Sequence, residues 1–242
     1  MQKADVKIAK RGETSYMKYV MSDIHGNWDK YKSILQLIEF SEEDELYIIG
    51  DVIDRGTHGI EILMDIRKRS NVHLIMGNHE LMAVQTLLAK DEREWEDKLD
   101  LWIMNGGGVT YYHFLSLSEE EQGEIAAFLA TLPDSMEIKI KERTFHLVHG
   151  FPANTLKKQV WIRPTLKTPN PFADKTLIIG HTPVMLLHGD SDKYICKLRK
   201  KGKHVKIEHA TGFMDIDCGC GTGIPEGRLA CLRLDDMKEF YV

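Results

Sequence analysis

The segments YVMSDIHG (residues 19–26), LYIIGDVIDRG (46–56) and VHLIMGNHE (72–80) decide the fold. Each begins as a short apolar run and ends abruptly in polar residues and glycine. This is the pattern of a buried strand that delivers side chains to the loop at its C-terminal end. FHLVHG (145–150) and TLIIGHTP (176–183) have the same form, and each places a histidine beside a glycine. We therefore predict five buried strands whose ends carry carboxylate, amide or imidazole groups.

Helical patterns fill the connections between the first strands. Apolar residues recur at helical spacing at Trp28, Tyr31, Ile34, Leu35 and Ile38, and again at Ile60, Leu63, Met64 and Ile66. The resulting order of strand, helix and strand predicts an α/β fold. Residues 81–132 look helical and acidic and are interrupted by glycines, so we predict a helical insertion there that is a candidate cap or lid.

The last third of the chain has a different pattern. Residues 194–207, 213–218 and 229–234 look like successive strands between glycine-rich turns, and they predict a second, more antiparallel sheet. No linker-like stretch divides the chain. We therefore expect one domain over residues 1–242.

Composition and charge limit the class of protein and its partners. Hydrophobic residues make up 43% of the chain and charged residues 29%, as in ordinary globular proteins. The formal net charge of −5 gives no overall field that attracts nucleic acid or an anionic membrane. The N-terminal segment lacks an apolar run long enough for a signal peptide or a membrane span. We expect a cytoplasmic protein with neither nucleic-acid nor membrane partners, and its oligomeric state stays open.

The cysteines indicate no disulfide framework and no thiol catalysis. The four cysteines, at positions 196, 218, 220 and 231, are too few to build a fold of this length from disulfides. Cys218 and Cys220 have no second Cys or His pair at zinc-finger spacing. No cysteine is followed six positions later by arginine, as a cysteine-nucleophile phosphatase loop requires. Redox regulation through Cys218 and Cys220 stays a hypothesis.

Polar side chains at the five strand ends form a candidate metal site. Asp23 and His25 are two positions apart, and side chains at that spacing lie on one face of an extended chain. Asp51 and Asn78 follow the next two strands, and the carboxyl ends of adjacent parallel strands open into one crevice.

Two later histidines complete the candidate ligand set. His149 and His181 bring it to six oxygen and nitrogen donors without a thiolate, which suits two divalent transition ions better than calcium. Taken singly, such an aspartate is more often a helix cap and such a histidine a structural residue. Their joint occurrence at five strand ends favours metal binding, with a carboxylate such as Asp51 as a bridge between two ions.

The motifs resemble a known family. DIHG (23–26), GDVIDRG (50–56) and GNHE (77–80) are similar to the three signature blocks of the phosphoprotein phosphatases within the calcineurin-like metallophosphoesterases. The two later histidine segments resemble that family's further metal-binding blocks. The resemblance extends from about residue 19 to the IDCG segment at 216–219. It implies a four-layer α/β/β/α metallophosphoesterase sandwich with a helical insertion.

The resemblance also implies roles for the motif residues. It implies one metal held by Asp23, His25 and Asp51, and a second held by Asp51, Asn78, His149 and His181. Manganese is the metal expected from the family, with iron or zinc as alternatives. Two such ions would lower the pKa of a bridging water, supply hydroxide near neutral pH and neutralise charge on the phosphoryl group.

Four further residues are candidate catalytic groups. The resemblance implies that Arg55 and Arg163, the latter in WIR (161–163), clamp phosphate oxygens with their planar guanidinium groups. His79 is the expected acid for the leaving group, oriented by Asp54. The residues alone leave alternatives open, namely a structural His79, an ion-paired Asp54 and a solvated Arg163.

Two features bear on the substrate. Met76 stands where eukaryotic protein phosphatases carry arginine, and WIMNGGG (102–108) resembles a segment of bacterial-type protein phosphatases. We therefore predict a serine/threonine protein phosphatase of the bacterial or phage type that acts on a phosphorylated protein or peptide, with phosphotyrosine as a further candidate. The alternative is a symmetrical dinucleoside tetraphosphate hydrolase, which would take a dinucleoside polyphosphate. A catalytically inactive regulatory protein is disfavoured because every motif position is intact.

Overall fold

The computed structural model describes residues 16–242, which contain ten strands in two five-stranded sheets. The strands are β1 (Lys18–Met21), β2 (Glu45–Ile48), β3 (Val72–Leu74), β4 (Ser135–Ile140), β5 (Arg143–Val148), β6 (Lys175–Ile179), β7 (Glu208–His209), β8 (Met214–Asp215), β9 (Ala230–Arg233) and β10 (Lys238–Tyr241). The α-helices of the described residues are α1 (Trp28–Leu37), α2 (Gly59–Arg67), α3 (Asn78–Leu87), α4 (Glu92–Trp102), α5 (Gly108–Leu115), α6 (Glu119–Ala130), α7 (Leu156–Gln159), α8 (Val184–Leu187) and α9 (Ser191–Lys200).

The first sheet has the strand order β10-β9-β1-β2-β3. Strands β1, β2 and β3 are parallel because helices α1 and α2 form the crossovers between them. The register pairs Met21 with Ile48 and Ile48 with Leu74. The three strands therefore end at the same level, and their C-terminal loops emerge side by side.

The second sheet has the order β4-β5-β6-β8-β7, with β5, β6 and β8 parallel. Leu147 pairs with Ile178, so strands β5 and β6 also end together. The segments that carry His149 and His181 leave these two neighbouring strand ends. Five strand ends from two sheets thus face one region of the molecule.

The sheets pack face to face, and the central strands of both are apolar on their two faces. Val20 and Ile49 of the first sheet share one buried cluster with Leu147 and Ile178 of the second. The alternate residues of β1 and β2 pack into a second cluster with the helices, which includes Tyr19, Met21, Tyr31, Ile48 and Leu63. Burial on both faces explains why these strands are continuous apolar runs. The predicted α/β fold with two sheets and covering helices is confirmed.

The predicted helices are confirmed, including those of the insertion. Between α4 and α5 the chain forms a π-helical turn, Ile103–Gly107. Trp102, Phe114 and Leu129 of the insertion join the buried cluster of the first sheet. The insertion is therefore packed into the fold, and its role as a cap or lid stays a prediction. The single domain over residues 1–242 also stays a prediction, because residues 1–15 lie outside the described part.

The prediction for the last third of the chain is partly wrong. Residues 194–207 contain no strand. Residues 194–200 belong to α9, which Asp190 caps by accepting a hydrogen bond of 2.9 Å from the Lys193 N–H and in which Ile195 packs inward, and residues 201–207 form neither helix nor strand. Within residues 213–218 only Met214–Asp215 is a strand. Residues 229–234 do contain β9, but β9 pairs with β1 in the first sheet.

The second sheet is therefore not the more antiparallel one. Each sheet has two parallel and two antiparallel strand pairs. The reason is that the hairpin of β9 and β10 pairs with the edge of β1 in the first sheet instead of extending the second sheet. Across the described range, residues 16–242, no helix is long and apolar enough to cross a membrane.

Candidate active site

The loops after the strands turn sharply through left-handed backbone conformations. Positive φ angles occur at Asp23 (52°), His25 (47°), Asp51 (56°), Asp54 (72°), Arg55 (66°) and His181 (64°). Such angles are uncommon outside glycine and cluster at functional sites. Backbone hydrogen bonds between neighbouring loops hold the turns, among them Asp23 N–H to Gly50 O at 3.1 Å and His25 N–H to Asp51 O at 2.9 Å.

Asp23 and His25 approach each other for a reason other than the expected one. They are not in extended backbone, so the alternation of strand side chains does not apply to them. The two left-handed turns instead place His25 Nε2 4.0 Å from Asp23 Oδ1. The proximity that the sequence predicts is present, and its predicted cause is wrong.

Asp51 lies at the centre of the cluster. Its Oδ1 is 3.2 Å from His149 Nε2, while its Oδ2 is 3.7 Å from His25 Nε2 and 3.8 Å from His79 Nε2. Asp51 belongs to two groups whose ligand atoms lie within 4.8 Å of one another, His25/Asp51/His79 and Asp51/His149/His181. One carboxylate thus faces two sets of imidazoles.

Asn78 and Asp23 border the same cluster. Asn78 Oδ1 is 2.9 Å from His149 Nε2, and the backbone N–H of His181 donates to Asp23 Oδ2 at 3.0 Å. The structure therefore brings all six predicted metal ligands together, although they come from two different sheets. Gly50, with φ of +79°, allows this approach, because a Cβ there would lie 2.6 Å from His149 Nδ1.

Backbone carbonyls orient two of the imidazoles. His149 Nδ1 is 2.7 Å from Ile49 O, and His25 Nδ1 is 3.1 Å from Ile53 O. A carbonyl accepts a hydrogen bond, so Nδ1 carries the proton in each ring and Nε2 is left to face the cluster. This arrangement, in which one ring nitrogen is fixed by a carbonyl, is common among histidines that bind metals.

The donor set fits divalent metal ions. His181 Nε2 is buried and has no hydrogen-bond partner among the described residues, although it points into a cluster of carboxylates and imidazoles. A buried nitrogen without a partner is costly unless a ligand satisfies it. Aspartate, asparagine and histidine donors without thiolate suit transition ions such as Mn²⁺, Fe²⁺ or Zn²⁺.

Electrostatics favour neutral imidazoles at two positions. Burial lowers the pKa of His25 to about 3, and the neighbouring His79 and Arg55 contribute to the same shift. Burial and His149 likewise lower the pKa of His181 to about 2. Both side chains are therefore uncharged at neutral pH and have a lone pair for a metal ion.

His149 and Asp51 stabilise each other's charged forms. Burial opposes a charged His149, but Asp51 and Asp23 raise its pKa to about 10. Burial also opposes a charged Asp51, yet the imidazoles of His149, His79 and His25 hold its pKa well below the usual range. The pocket therefore stabilises positive charge beside Asp51, and a metal cation held there would displace a proton from His149.

His79 and Asp54 form a buried pair next to this cluster. His79 Nδ1 donates to Asp54 Oδ2 at 2.6 Å. Burial alone would lower the pKa of His79. The carboxylates of Asp51 and Asp54 outweigh this effect and raise the pKa above its ordinary value. The same Asp54 oxygen accepts a second hydrogen bond of 2.8 Å from Trp102 Nε1.

Both predicted arginines lie at the exposed rim of the cluster. Arg55 Nη2 is 3.2 Å from His79 Nε2. Arg163 Nη1 donates to the backbone oxygen of His181 at 2.9 Å. Two guanidinium groups thus flank the carboxylates and imidazoles, where they can meet an anionic ligand.

The sequence analysis assigned no role to Glu80. Its buried carboxylate accepts hydrogen bonds from the N–H groups of Asp51 at 2.8 Å, Val52 at 2.8 Å and Gly77 at 3.1 Å. Burial and the nearby Asp51 raise its pKa to about 7. A glutamate three residues after the N-cap glycine that precedes a helix is one half of a capping box, and this signal could have pointed to Glu80.

Among the described residues, no cysteine belongs to the groups of candidate ligands, although Cys220 Sγ donates to the backbone oxygen of Ile24, between Asp23 and His25, at 3.5 Å. Cys218 and Cys220 are buried and unpaired. Burial raises the pKa of the Cys220 thiol to about 12, and burial with the neighbouring Asp217 also raises that of Cys218. Protonated buried thiols react slowly, which weakens the hypothesis of redox regulation.

Comparison with known proteins defines the class. The model of the calcineurin-like phosphoesterase family matches residues 19–207, which include all five strand ends. The chain therefore belongs to the calcineurin-like phosphoesterase family. Family membership together with the Asp and His cluster implies divalent metal ions and hydrolysis of phosphate esters.

Individual relatives point to two kinds of substrate. Serine/threonine-protein phosphatase 1 of Salmonella typhimurium is 28% identical over 179 residues, which cover 69% of this chain and 78% of that protein. The symmetrical bis(5'-nucleosyl)-tetraphosphatase of Haemophilus ducreyi is 32% identical over 99 residues, which cover 40% of this chain and 37% of that enzyme. The chain thus matches little more than a third of the tetraphosphatase's length.

Solved structures share the fold. A putative diadenosine tetraphosphatase superposes with a TM-score of 0.60 at 15% identity and covers 95% of this chain and 94% of its own. A serine/threonine phosphatase from Saccharomyces cerevisiae superposes with a TM-score of 0.54 at 14% identity and covers 94% of this chain and 79% of its own. At these identities the similarity concerns architecture alone.

Proposed function

We propose that this protein is a two-metal phosphoesterase that acts as a serine/threonine protein phosphatase. The observation that carries the proposal is the position of Asp51, which belongs to both groups of potential metal ligands. A shared carboxylate can bridge two ions and fix their separation. Glu80 holds the backbone of Asp51, which would fix the carboxylate in the position that the two ions would share.

The proposed ligand sets follow the six residues of the cluster. Asp23, His25 and Asp51 would hold the first ion, and Asp51, Asn78, His149 and His181 the second, with manganese as the proposed metal. When bound, such ions activate a water molecule as a nucleophile and neutralise charge on the phosphoryl group. Two observations support this assignment: neutral His25 and His181 each have a lone pair, and His181 Nε2 has no hydrogen-bond partner within residues 16–242.

Arg55 and Arg163 are the proposed phosphate clamp. Both are exposed at the rim; Arg163 Nη1 donates to His181 O, and Arg55 Nη2 lies 3.2 Å from His79 Nε2, which can accept from it only while Nε2 carries no proton. A guanidinium has five N–H donors, so most remain available for phosphate oxygens. Binding by the two arginines, which lie in different loops, would orient the phosphoryl group towards the metal site.

His79 is the proposed general acid. Its Nδ1 is occupied by Asp54, which leaves Nε2 on the open side of the ring, 3.8 Å from Asp51 Oδ2 and 3.2 Å from Arg55 Nη2. The raised pKa favours the protonated ring. Protonated Nε2 can give its proton to the oxygen of the departing alcohol, which an alkoxide such as that of serine needs. His79 Nε2 is nearly as close to Asp51 Oδ2 as His25 Nε2 is, at 3.8 Å against 3.7 Å. Because His79 Nδ1 donates to the Asp54 carboxylate, we assign His79 as the acid and not as a metal ligand.

Protein substrates are favoured over dinucleoside tetraphosphates. The alignment with the Salmonella protein phosphatase covers 78% of that enzyme, against 37% for the Haemophilus tetraphosphatase. The WIMNGGG segment resembles bacterial-type protein phosphatases, and in this fold it contacts the Asp54–His79 pair. The tetraphosphatase activity is the second candidate, supported by the higher local identity of 32%.

One comparison of substrates tests the proposal. The manganese-loaded protein is assayed side by side on phosphoserine, phosphothreonine and phosphotyrosine peptides and on diadenosine tetraphosphate. We expect the highest kcat/KM on a phosphoserine or phosphothreonine peptide. A higher kcat/KM on diadenosine tetraphosphate would support the alternative, and no turnover of any of them would contradict both. Asp51→Asn is the control that separates turnover by this site from a contaminating phosphatase.

A further inference from the structure

Trp102 connects the helical insertion to the Asp54–His79 pair. Its indole Nε1 donates to Asp54 Oδ2 at 2.8 Å, the same oxygen that accepts from His79 Nδ1 at 2.6 Å. Trp102 is 1% exposed and Asp54 is fully buried. The other carboxylate oxygen, Asp54 Oδ1, has no partner within the described chain. The orientation of this carboxylate is therefore set by two donors on one oxygen.

The insertion also holds the backbone on both sides of this carboxylate. Thr110 Oγ1, in α5, accepts a hydrogen bond of 2.9 Å from the Asp54 N–H. Gly106 O, in the π-helical turn, accepts one of 3.0 Å from the Arg55 N–H. Gly106 has a φ of 96°, which favours glycine. Three contacts from a segment about fifty residues away thus converge on two adjacent residues.

The turn is shaped around the indole ring. A Cβ at Gly107 would overlap Cδ1 and Nε1 of Trp102, so only glycine leaves room for the ring in this position. On its other side the indole packs edge-on against Tyr111, with ring centroids 5.9 Å apart. The ring is fixed between the turn and α5, and its N–H has one direction in which to donate.

We propose that Trp102 is a positioning residue for His79, so that the insertion completes the acid machinery and does not merely cover the site. This inference rests on the proposed function, in which His79 protonates the leaving group. Without the indole donor, the Asp54 carboxylate can rotate and offer either oxygen to His79, and the imidazole loses its fixed direction. A general acid is effective only within hydrogen-bond reach and direction of its target.

The expected signature is selective for the leaving group. An ester with a poor leaving group, such as phosphoserine in a peptide, depends on proton donation, whereas p-nitrophenyl phosphate depends on it far less. In Trp102→Phe we expect kcat on the phosphoserine peptide to fall on the order of ten-fold, because one hydrogen bond to a charged group is lost. We expect a much smaller fall on p-nitrophenyl phosphate, with unchanged KM and manganese content.

The matched control is Trp95→Phe. Trp95 lies in the same helix, α4, but is 37% exposed, and its replacement removes the same indole N–H without touching Asp54. We expect wild-type rates on both esters. In the Asp54→Asn background, Trp102→Phe should add little further loss, because the two changes act on one interaction.

A measurement on the metal-free protein complements the rates. In a ¹⁵N–¹H spectrum, the Trp102 indole N–H should be protected from exchange, and Asp54→Asn should shift its signal while the Trp95 indole signal stays in place. Gly107→Ala, which displaces the ring and keeps the N–H, is a second variant, with Gly123→Ala as its control because a Cβ there meets nothing within 4 Å. If Trp102→Phe does not fold, Gly107→Ala should still show the selective loss on the phosphoserine peptide.

Three results would overturn the inference. An equal loss on both esters would make Trp102 a structural residue only. An indole signal that does not respond to Asp54→Asn would remove the hydrogen bond from which the inference begins. A wild-type rate on the phosphoserine peptide in both Trp102→Phe and Gly107→Ala would show that His79 acts without the Trp102–Asp54 hydrogen bond. By contrast, a wild-type protein that hydrolyses no phosphate ester contradicts the proposed function itself.

Discussion

Glu80 Oε2 accepts a hydrogen bond of 2.8 Å from the backbone N–H of Asp51. Its other oxygen accepts one of the same length from the N–H of Val52. A helix-capping carboxylate therefore holds the loop that carries the central carboxylate of the site. Asp51 has a positive φ, and this support explains how the loop keeps that conformation.

We expect Glu80→Gln to destabilise the protein and weaken metal binding. The amide NH₂ of glutamine would face a backbone N–H on one side, because both oxygens of Glu80 accept hydrogen bonds. A buried donor left without an acceptor costs about 1–3 kcal/mol. Urea denaturation and manganese titration of the variant measure the two effects. In the control Glu124→Gln, an exposed ion pair with Arg67 is lost, and we expect a change below about 0.5 kcal/mol. Equal effects of the two changes would show that Glu80 does not support the loop.

We expect Asp51→Asn to abolish turnover and to weaken both metal ions. The amide has a single oxygen and no charge, so it cannot bridge two cations, and it no longer faces His25 and His149 with a carboxylate. Metal content by mass spectrometry under native conditions and hydrolysis of p-nitrophenyl phosphate measure both effects. A near-wild-type rate with full metal content would rule out a bridging role for Asp51.

We expect His79→Asn to keep metal binding and to slow hydrolysis by roughly a hundred-fold or more, as loss of a general acid typically does. The loss should grow as the leaving group becomes poorer, because the proton donor acts on the departing oxygen. Rates on a series of phenyl and alkyl phosphates give this dependence. A uniform loss across the series would argue for a role of His79 in binding the metal or the phosphate, which its 3.8 Å distance from Asp51 also allows.

Mild oxidation should leave activity unchanged. Cys218 and Cys220 are buried, and burial raises the pKa of both thiols, so little of either is the reactive thiolate at neutral pH. Cys196 is exposed and is the thiol we expect to react first. Activity after peroxide treatment, with thiol counting to identify the oxidised residue, measures this. A reversible loss of activity that Cys218→Ser or Cys220→Ser prevents would revive redox regulation.

The strand ends and their polar residues were predictable because they depend on local patterns. Short apolar runs buried on both sides, such as Leu46–Ile49, and glycine-containing polar clusters after them are recognisable without tertiary information. The helical spacing from Trp28 to Ile38 is equally local and predicted α1 correctly. The first signal places all six candidate ligands directly after strand ends at one end of the sheets, with Asn78 as the first residue of α3.

The remaining features depend on contacts between distant residues. The left-handed conformations of Asp23 and His25 are held by backbone groups of the Gly50–Val52 loop, which no local pattern reveals. The Trp102–Asp54 hydrogen bond joins residues 48 positions apart. Residues 194–207 were mispredicted because apolar residues at mixed spacing resemble a strand, whereas Asp190 caps a helix there. The pairing of β9 with β1 likewise joins segments that are far apart in the sequence, so no local pattern shows which sheet β9 extends.

The dependence of phosphate-ester hydrolysis on metal ions tests the central claim most directly. The protein is depleted with a strong chelator, and its rate on p-nitrophenyl phosphate is measured while Mn²⁺ is added back and its bound stoichiometry is followed. We predict no activity after depletion, recovery with Mn²⁺, and full activity only when two ions are bound per chain. Activity that a strong chelator leaves undiminished would contradict the account.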